Sequence, residues 1–130
     1  MTKLSLHELT NLKLLLSVDG IGPGKFRNLL SKFRTTEKIL SADYSSLLKI
    51  EGISTNLAKR LVRAGDNYSS LKEKTEKELA KLEKLKAEIV TVWDKEYPSI
   101  LKNIYDPPLL LYVKGCLDKK DEFSIAVVGT

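Results

Sequence analysis

Apolar residues in the first half of the chain recur at helical spacing, and glycine-rich turns interrupt them. Leucines follow one helical face over residues 9–16, the run Asp-Gly-Ile-Gly-Pro-Gly at 19–24 breaks the pattern, and apolar residues resume it over 26–33. Gly20 and Gly22 can adopt backbone angles closed to other residues, and we expect the turn to require a positive φ at Gly22. The pattern predicts a helix, a tight turn and a second helix.

This pattern recurs further along the chain. Residues 50–54 repeat residues 18–22 after an offset of 32 residues, and a second apolar helical pattern follows them. Ser54 stands where the first copy has its second turn glycine, so the second copy is degraded. Two short helices are predicted between the copies, one near Thr36 and one that begins at Asp43. The first half is therefore an internal duplication.

A charged stretch follows the duplication. Lys and Glu dominate the run from Leu71 to Glu88, while Leu79, Leu82 and Leu85 keep one apolar stripe. We expect the leucines to face either the helical part or the sheet, and the alternating charges to form a solvated face. The stretch is predicted to be one amphipathic helix.

The periodicity then changes from helical to extended. Residues 97–104 carry enough apolar side chains for one short helix, and Trp93 and Tyr112 are aromatic anchors for a core. Because the extended runs are apolar on both faces, we expect them to pack as neighbouring strands inside an α/β sheet. These runs are 89–93, 109–113 and 124–129.

One short helix covers too little of such a sheet to complete it. We therefore expect the α/β part to be truncated, with residues 128–130 ending where a strand-to-loop turn begins. Gly129 and Thr130 are the predicted start of a phosphate loop, because a glycine at that edge allows a ligand phosphate to approach the backbone.

The net charge of +5 over 130 residues becomes informative when it is divided along the chain. Residues 1–70 hold 11 Lys and Arg against 6 Asp and Glu, whereas residues 71–130 hold 11 of each, so the first part carries the whole excess. A basic domain of this kind favours a polyanionic partner such as nucleic acid. The alternative is that the charge serves only solubility.

Several classes of protein are disfavoured. No run approaches the roughly 18 apolar residues of a membrane helix, and the start of the chain lacks the apolar core of a signal peptide, so we expect a cytoplasmic protein with no membrane partner. A single Cys116 and a single His7 exclude an internal disulfide and a Cys/His zinc site. No Walker motif, dinucleotide fingerprint or catalytic triad is present, so we expect no enzyme activity, cofactor or metal.

The Gly20–Gly22 turn has the form of a helix-hairpin-helix unit, in which backbone N–H groups at the start of the second helix meet a phosphate. Lys25 and Arg27 follow in the next turns and would add positive charge without reading bases. The predicted DNA-binding residues are Gly20, Gly22, Gly24, Lys25 and Arg27. The alternative is that both hairpins only pack the helical bundle.

Taken in order, these motifs resemble the amino-terminal part of the DNA-processing protein DprA/Smf family. The specific portion is the series Tyr97-Pro98, Asp106-Pro107-Pro108, Leu111-Tyr112-Val113-Lys114-Gly115 and Ile125-Ala126-Val127-Val128-Gly129-Thr130. The resemblance implies an α+β fold: a sterile-alpha-motif-like, all-α domain of helix-hairpin-helix elements, then the first strands of a Rossmann-like α/β domain. The predicted domain bounds are 1–70 for the helical domain, 71–88 for a connecting helix and 89–130 for the Rossmann-like part.

The resemblance also implies a function. Members of this family bind single-stranded DNA, form homodimers and help to load RecA recombinase in natural transformation, although this stretch alone is compatible with a monomer. Two alternatives remain open: a stand-alone helix-hairpin-helix module that binds DNA backbones in repair, and a Rossmann-like nucleotide-binding hydrolase. The segment from Tyr97 to Pro108 separates them from the first interpretation, because neither requires it.

Overall fold

The computed structural model describes residues 4–130. Residues 1–3, which begin the predicted domain 1–70 and the stretch considered for a signal peptide, lie outside the described residues. The residues group into two compact units, Leu4–Lys81 and one that contains Leu82–Thr130. The helices are α1 (Leu6–Leu16), α2 (Pro23–Phe33), α3 (Thr36–Leu40), α4 (Tyr44–Leu48), α5 (Thr55–Ala64), α6 (Tyr68–Lys84) and α7 (Ser99–Lys102). The strands are β1 (Ala87–Thr91) and β2 (Leu110–Lys114), and turns of 3₁₀ helix occupy Gly65–Asn67 and Lys119–Phe123.

This arrangement confirms the expected α+β class, with a helical helix-hairpin-helix region followed by a small sheet. Among residues 4–130, the structure contains no helix with the length and apolar character needed to cross a bilayer. In the helical unit, the core is built from the apolar faces that the periodicity indicated. Its most buried side chains are Leu9, Leu12, Leu14, Leu15, Phe26, Leu29, Ile39, Leu47, Leu57, Ala58 and Leu61.

The helix before each turn starts at a side-chain cap. At the start of α1, Ser5 Oγ accepts from the N–H of Glu8 at 3.2 Å, and the Glu8 carboxylate accepts from the N–H of Ser5 at 2.9 Å. These bonds from Ser5 lower the pKa of Glu8. At the start of α4, Asp43 accepts from the hydroxyls of Ser45 and Ser46 and from the N–H of Ser46, which lowers the pKa of Asp43 to about 2. Both caps satisfy backbone donors that the helix itself leaves open.

Helix α6 covers most of the predicted amphipathic stretch. It contacts α1 through the ion pair of Lys13 with Glu78 and through the hydrogen bond, 2.6 Å long, that joins His7 Nδ1 and the hydroxyl of Tyr68. Leu79 and Leu82 are half-buried, but Leu85 follows the end of the helix and is 48% exposed. The expectation that Leu85 faces a core is therefore wrong, because the chain leaves helical geometry before that residue.

Strands β1 and β2 pair antiparallel, from Ala87 opposite Lys114 to Thr91 opposite Leu110. The predicted strands 89–93 and 109–113 are thus found close to their expected places. Burial is uneven, since β1 becomes fully buried at its end while Tyr112 on β2 is 53% exposed. An antiparallel sheet can leave one face in water, and the prediction that both strands are buried on both faces, with Trp93 and Tyr112 in one core, is wrong.

The prediction of a third strand over residues 124–129 is also wrong. This segment has no regular secondary structure, and Val127 in its centre is 95% exposed. A strand exists only where a neighbour supplies its hydrogen bonds, and within residues 4–130 β1 and β2 pair only with each other. An apolar, β-branched composition does not by itself produce a strand.

Candidate nucleic-acid interface

We define the first hairpin as α1, residues 17–22 and α2, and the second hairpin as α4, residues 49–54 and α5. Their turns close with equivalent backbone bonds: the N–H of Ile21 donates to Val18 O at 3.0 Å, and the N–H of Ile53 donates to Ile50 O at 3.1 Å. The equivalent residues are 32 positions apart in each case. The predicted duplication therefore extends to the backbone hydrogen bond that closes each turn.

Only one glycine in each turn requires the conformation that glycine favours. Gly20 has a φ of +95° and its counterpart Gly52 has a φ of +82°. Gly22 has a φ of −101° and a ψ of 179°, which is extended backbone open to any residue. The expectation of a positive φ at Gly22 is wrong. The positive φ lies two residues earlier, where the chain reverses.

The two hairpins also contact each other reciprocally. A Cβ on Gly20 would lie 3.7 Å from Cδ1 of Leu57, and a Cβ on Gly52 would lie 3.6 Å from the side chain of Lys25, the residue equivalent to Leu57. Each turn glycine thus lies beneath the third helical residue of the other hairpin. Glycine is favoured at both places by the positive φ, since a Cβ at these distances would make only ordinary van der Waals contacts.

A second pair of contacts, both hydrogen bonds, also links the two hairpins reciprocally. Arg60 Nη1 donates to Asp19 Oδ2 at 3.1 Å, and the equivalent of Arg60, Asn28, donates from Nδ2 to the carbonyl oxygen of Glu51 at 3.5 Å. Since Asp19 and Glu51 are themselves equivalent, the two contacts are reciprocal.

The starts of α2 and α5 differ chemically. Ser54 Oγ accepts from the N–H of Leu57 at 3.2 Å and so caps α5, whereas Gly22 provides no side-chain cap for α2. The first turn of α2 holds no acidic residue, and apart from the adjoining backbone no atom lies within 4 Å of a Cβ placed on Gly22 or Gly24. The N–H groups of the first turn of α2 thus have no side-chain cap, at the positive end of a helix.

The predicted cations are in different situations. Lys25 is half-buried and its Nζ donates to the carbonyl oxygen of Gly20 at 3.0 Å. Arg27 is exposed and makes no ion pair with any residue in the described part of the chain. Lys59, equivalent to Arg27, is exposed in the same way. The ammonium of Lys25, which the sequence predicts to bind DNA together with Arg27, is thus hydrogen-bonded within the fold.

The second unit shows what the Tyr-Pro and Asp-Pro-Pro residues do structurally. The hydroxyl of Tyr97, which is 3% exposed, donates to Pro108 O at 2.6 Å, and burial raises the pKa of Tyr97. Buried Asp94 accepts from the N–H and the hydroxyl of Thr91, both at 2.7 Å. These bonds hold the connection between β1 and β2 in place. Gly129 and Thr130 lie in an exposed segment outside the sheet.

Sequence reasoning missed three of these roles. Ser54 is a recognisable N-cap signal, a serine before an apolar helical pattern, although it stands where the first copy has its second turn glycine. The bonds of Asp94 and Lys25 correspond to no motif that the sequence shows, because each depends on the conformation of the turn beside it. Among residues 4–130, no group of three or more His, Cys, Asp or Glu side chains is arranged to hold a metal.

Two protein families match different parts of the chain. Residues 12–64 match a SAM-like helix-hairpin-helix tandem, and residues 88–130 match the DNA recombination-mediator protein A family. No solved structure matches the chain significantly.

Two curated relatives are similar to it. A Protein Smf from Borreliella burgdorferi is 43% identical over 49 residues, which is 38% of this chain and 16% of the relative. A Protein Smf from Synechocystis is 26% identical over 120 residues, which is 87% of this chain and 28% of the relative. The chain thus spans less than a third of the length of either.

Proposed function

The chain belongs to the DprA/Smf family, with a SAM-like helix-hairpin-helix tandem followed by the start of the DprA domain, and from that premise we propose that it binds single-stranded DNA and helps to load RecA recombinase in transformation and recombination. Membership in a family of recombination mediators supports the DNA partner. The family resemblance alone suggests RecA, a homodimer of the full-length protein and work in the cytoplasm.

The observation that carries the DNA-binding part of the proposal is the uncapped start of α2. In this proposal the N–H groups of Gly24 and Lys25, which no side chain at Gly22 caps, donate to a phosphate, and the open space beside Gly22 and Gly24 leaves room for it. Arg27 supplies an exposed positive charge on the same helix. Contacts of this kind reach only the phosphate backbone, so binding should be independent of base sequence.

The second hairpin is the poorer candidate for the same role. The hydroxyl of Ser54 already accepts from an N–H group at the start of α5, at 3.2 Å. A phosphate at that position would have to displace the cap. We therefore assign the phosphate contact to the first hairpin and a packing role to the second.

We propose that the chain acts by binding rather than by catalysis. Its buried carboxylate, that of Asp94, accepts from the backbone N–H of Thr91 at the end of β1. Its buried phenol, that of Tyr97, donates to the carbonyl oxygen of Pro108 before β2. These hydrogen bonds explain why the two side chains are buried in the second unit, and no catalytic role is needed to explain it.

Fluorescence anisotropy with a labelled oligothymidylate at several salt concentrations tests the proposal. The few phosphate contacts available should give weak binding with a shallow salt dependence. Arg27→Ala should weaken binding about three- to tenfold and reduce the salt slope by about 1. Lys59→Ala, the equivalent cation of the second hairpin, is the matched control and should have a smaller effect.

Gly22→Ser extends the test to the amides themselves. A serine there should cap α2 as Ser54 caps α5, leaving the fold intact while weakening binding about threefold. Equal losses from Arg27→Ala and Lys59→Ala, with none from Gly22→Ser, would indicate a diffuse basic surface instead. Tighter binding to a duplex than to the single strand would favour a duplex-backbone module in repair.

A further inference from the structure

Lys25 lies where the two hairpins meet, and its side chain contacts both. Its Nζ donates to the carbonyl oxygen of Gly20 at 3.0 Å, within the first hairpin. Its Cγ and Cε lie 3.6 Å from the position of a Cβ on Gly52, in the turn of the second hairpin. One half-buried side chain therefore joins the two turns.

The duplication shows what the stem of Lys25 replaces. Its equivalent in the second hairpin is Leu57, which covers Gly20 as the methylene groups of Lys25 cover Gly52. A lysine stem packs as an aliphatic chain when its ammonium finds a polar partner. Lys25 thus supplies the packing of a leucine and adds an ammonium that binds the carbonyl of Gly20.

That carbonyl belongs to the peptide unit on which the first turn depends. Gly20 has the positive φ, and the next N–H, that of Ile21, closes the turn on Val18 O at 3.0 Å. A charged donor on the carbonyl between them restrains this peptide, since such bonds are stronger than neutral ones. The second turn has no such donor from Leu57, whose side chain is apolar.

We infer that Lys25 is a positioning residue that fixes the turn of the first hairpin against the second, and that it does not serve as a phosphate ligand through its ammonium. Its effect on DNA binding rests on the proposed function. Its effect on the turn does not, so the two can be measured separately.

Amide hydrogen exchange in the whole chain tests the effect on the turn. Lys25→Met keeps the stem and removes the ammonium, so the Ile21 amide should exchange about three- to tenfold faster while the equivalent Ile53 amide is unchanged. Lys25→Ala removes the stem as well and should accelerate both amides. Arg27→Met, which removes a cation from the same helix, should change neither. Unchanged exchange at Ile21 in Lys25→Met would overturn the inference.

Binding of a labelled oligothymidylate, measured well below the melting temperature, gives the second readout. Lys25→Met should lower the affinity about threefold at an unchanged salt slope, whereas Arg27→Met should reduce the slope by about 1. A reduced slope in Lys25→Met would mean that its ammonium contacts phosphate, and an unchanged affinity would mean a role in folding only. Either result overturns the inference. If the unmodified chain does not bind, the proposed function fails and the exchange data alone decide the role of Lys25.

Discussion

The first and second hairpins share the backbone bond that closes their turns and contact each other reciprocally, yet they present different chemistry at the start of their second helices. Gly20 and Gly52 have the same sign of φ, and the turn amides of Ile21 and Ile53 find equivalent carbonyls. Ser54 caps its helix, whereas Gly22 leaves the equivalent amides open. Residues that shape a turn are thus retained in both copies, while the residue that precedes the second helix differs.

The contact between the copies adds a second difference. Lys25 and Leu57 cover equivalent glycines, but only Lys25 also binds a carbonyl in its own hairpin. The first hairpin therefore combines an open helix start with a turn restrained by a charged side chain. The second combines a closed helix start with an apolar contact.

The largest expected effect comes from the turn glycines. Gly20→Val should lower the free energy of unfolding by about 2 kcal/mol, because a β-branched residue is strained at a positive φ and its side chain would meet Leu57. Gly22→Val should change it by less than about 0.5 kcal/mol, because its backbone is extended and its surroundings are open. Urea denaturation measures both, and comparable losses would contradict the assignment of the strained position to Gly20.

The cap residue should have the next largest effect. Ser54→Ala removes the acceptor for the N–H of Leu57 and should lower the free energy of unfolding by about 1 kcal/mol. Gly22→Ala removes no side-chain bond and is the matched control from the first hairpin. A stability of Ser54→Ala equal to that of the parent chain would mean that the two helix starts do not differ as described.

Acid should weaken both hairpins through the helices that precede their turns. Asp43 has a pKa lowered to about 2, so its cap contributes fully above its ordinary pKa and is lost as the pH falls from about 4 toward 2. Asp43→Asn keeps a capping side chain without the titration and should flatten the loss of stability over that range. Glu8, whose pKa is also lowered, accepts from the N–H of Ser5 at the start of α1, and Glu8→Gln should remove its separate share. An acid profile that neither change alters would contradict this account.

The smallest effect should come from the ion pair between the hairpins. Arg60 and Asp19 are 3.1 Å apart, but the Asp19 side chain is 97% exposed. Asp19→Asn should therefore lower the free energy of unfolding by less than about 0.5 kcal/mol, and added salt should remove even that difference. A loss above about 1 kcal/mol would show that the contact between the copies depends on this pair.

The helical half follows its sequence closely because its signals are local. Apolar spacing, capping residues and turn glycines act within a few residues of one another, and the duplication repeats them. The assignment of the positive φ to Gly22 rather than Gly20 failed because either residue of a Gly-Ile-Gly turn can accept it. The β runs were harder to interpret, since a strand at 124–129 needs a partner that composition does not reveal.

By itself, the sequence determined the helices, the two turns, their offset of 32 residues, the α+β class and the family that the chain resembles. Only the tertiary structure decided that the stem of Lys25 covers Gly52, that Tyr97 holds the carbonyl of Pro108, and that Val127 is exposed. The physical reason is the separation along the sequence between the residues that interact. Helices and turns form from interactions within a few residues, whereas these contacts and exposures depend on which distant segment packs alongside.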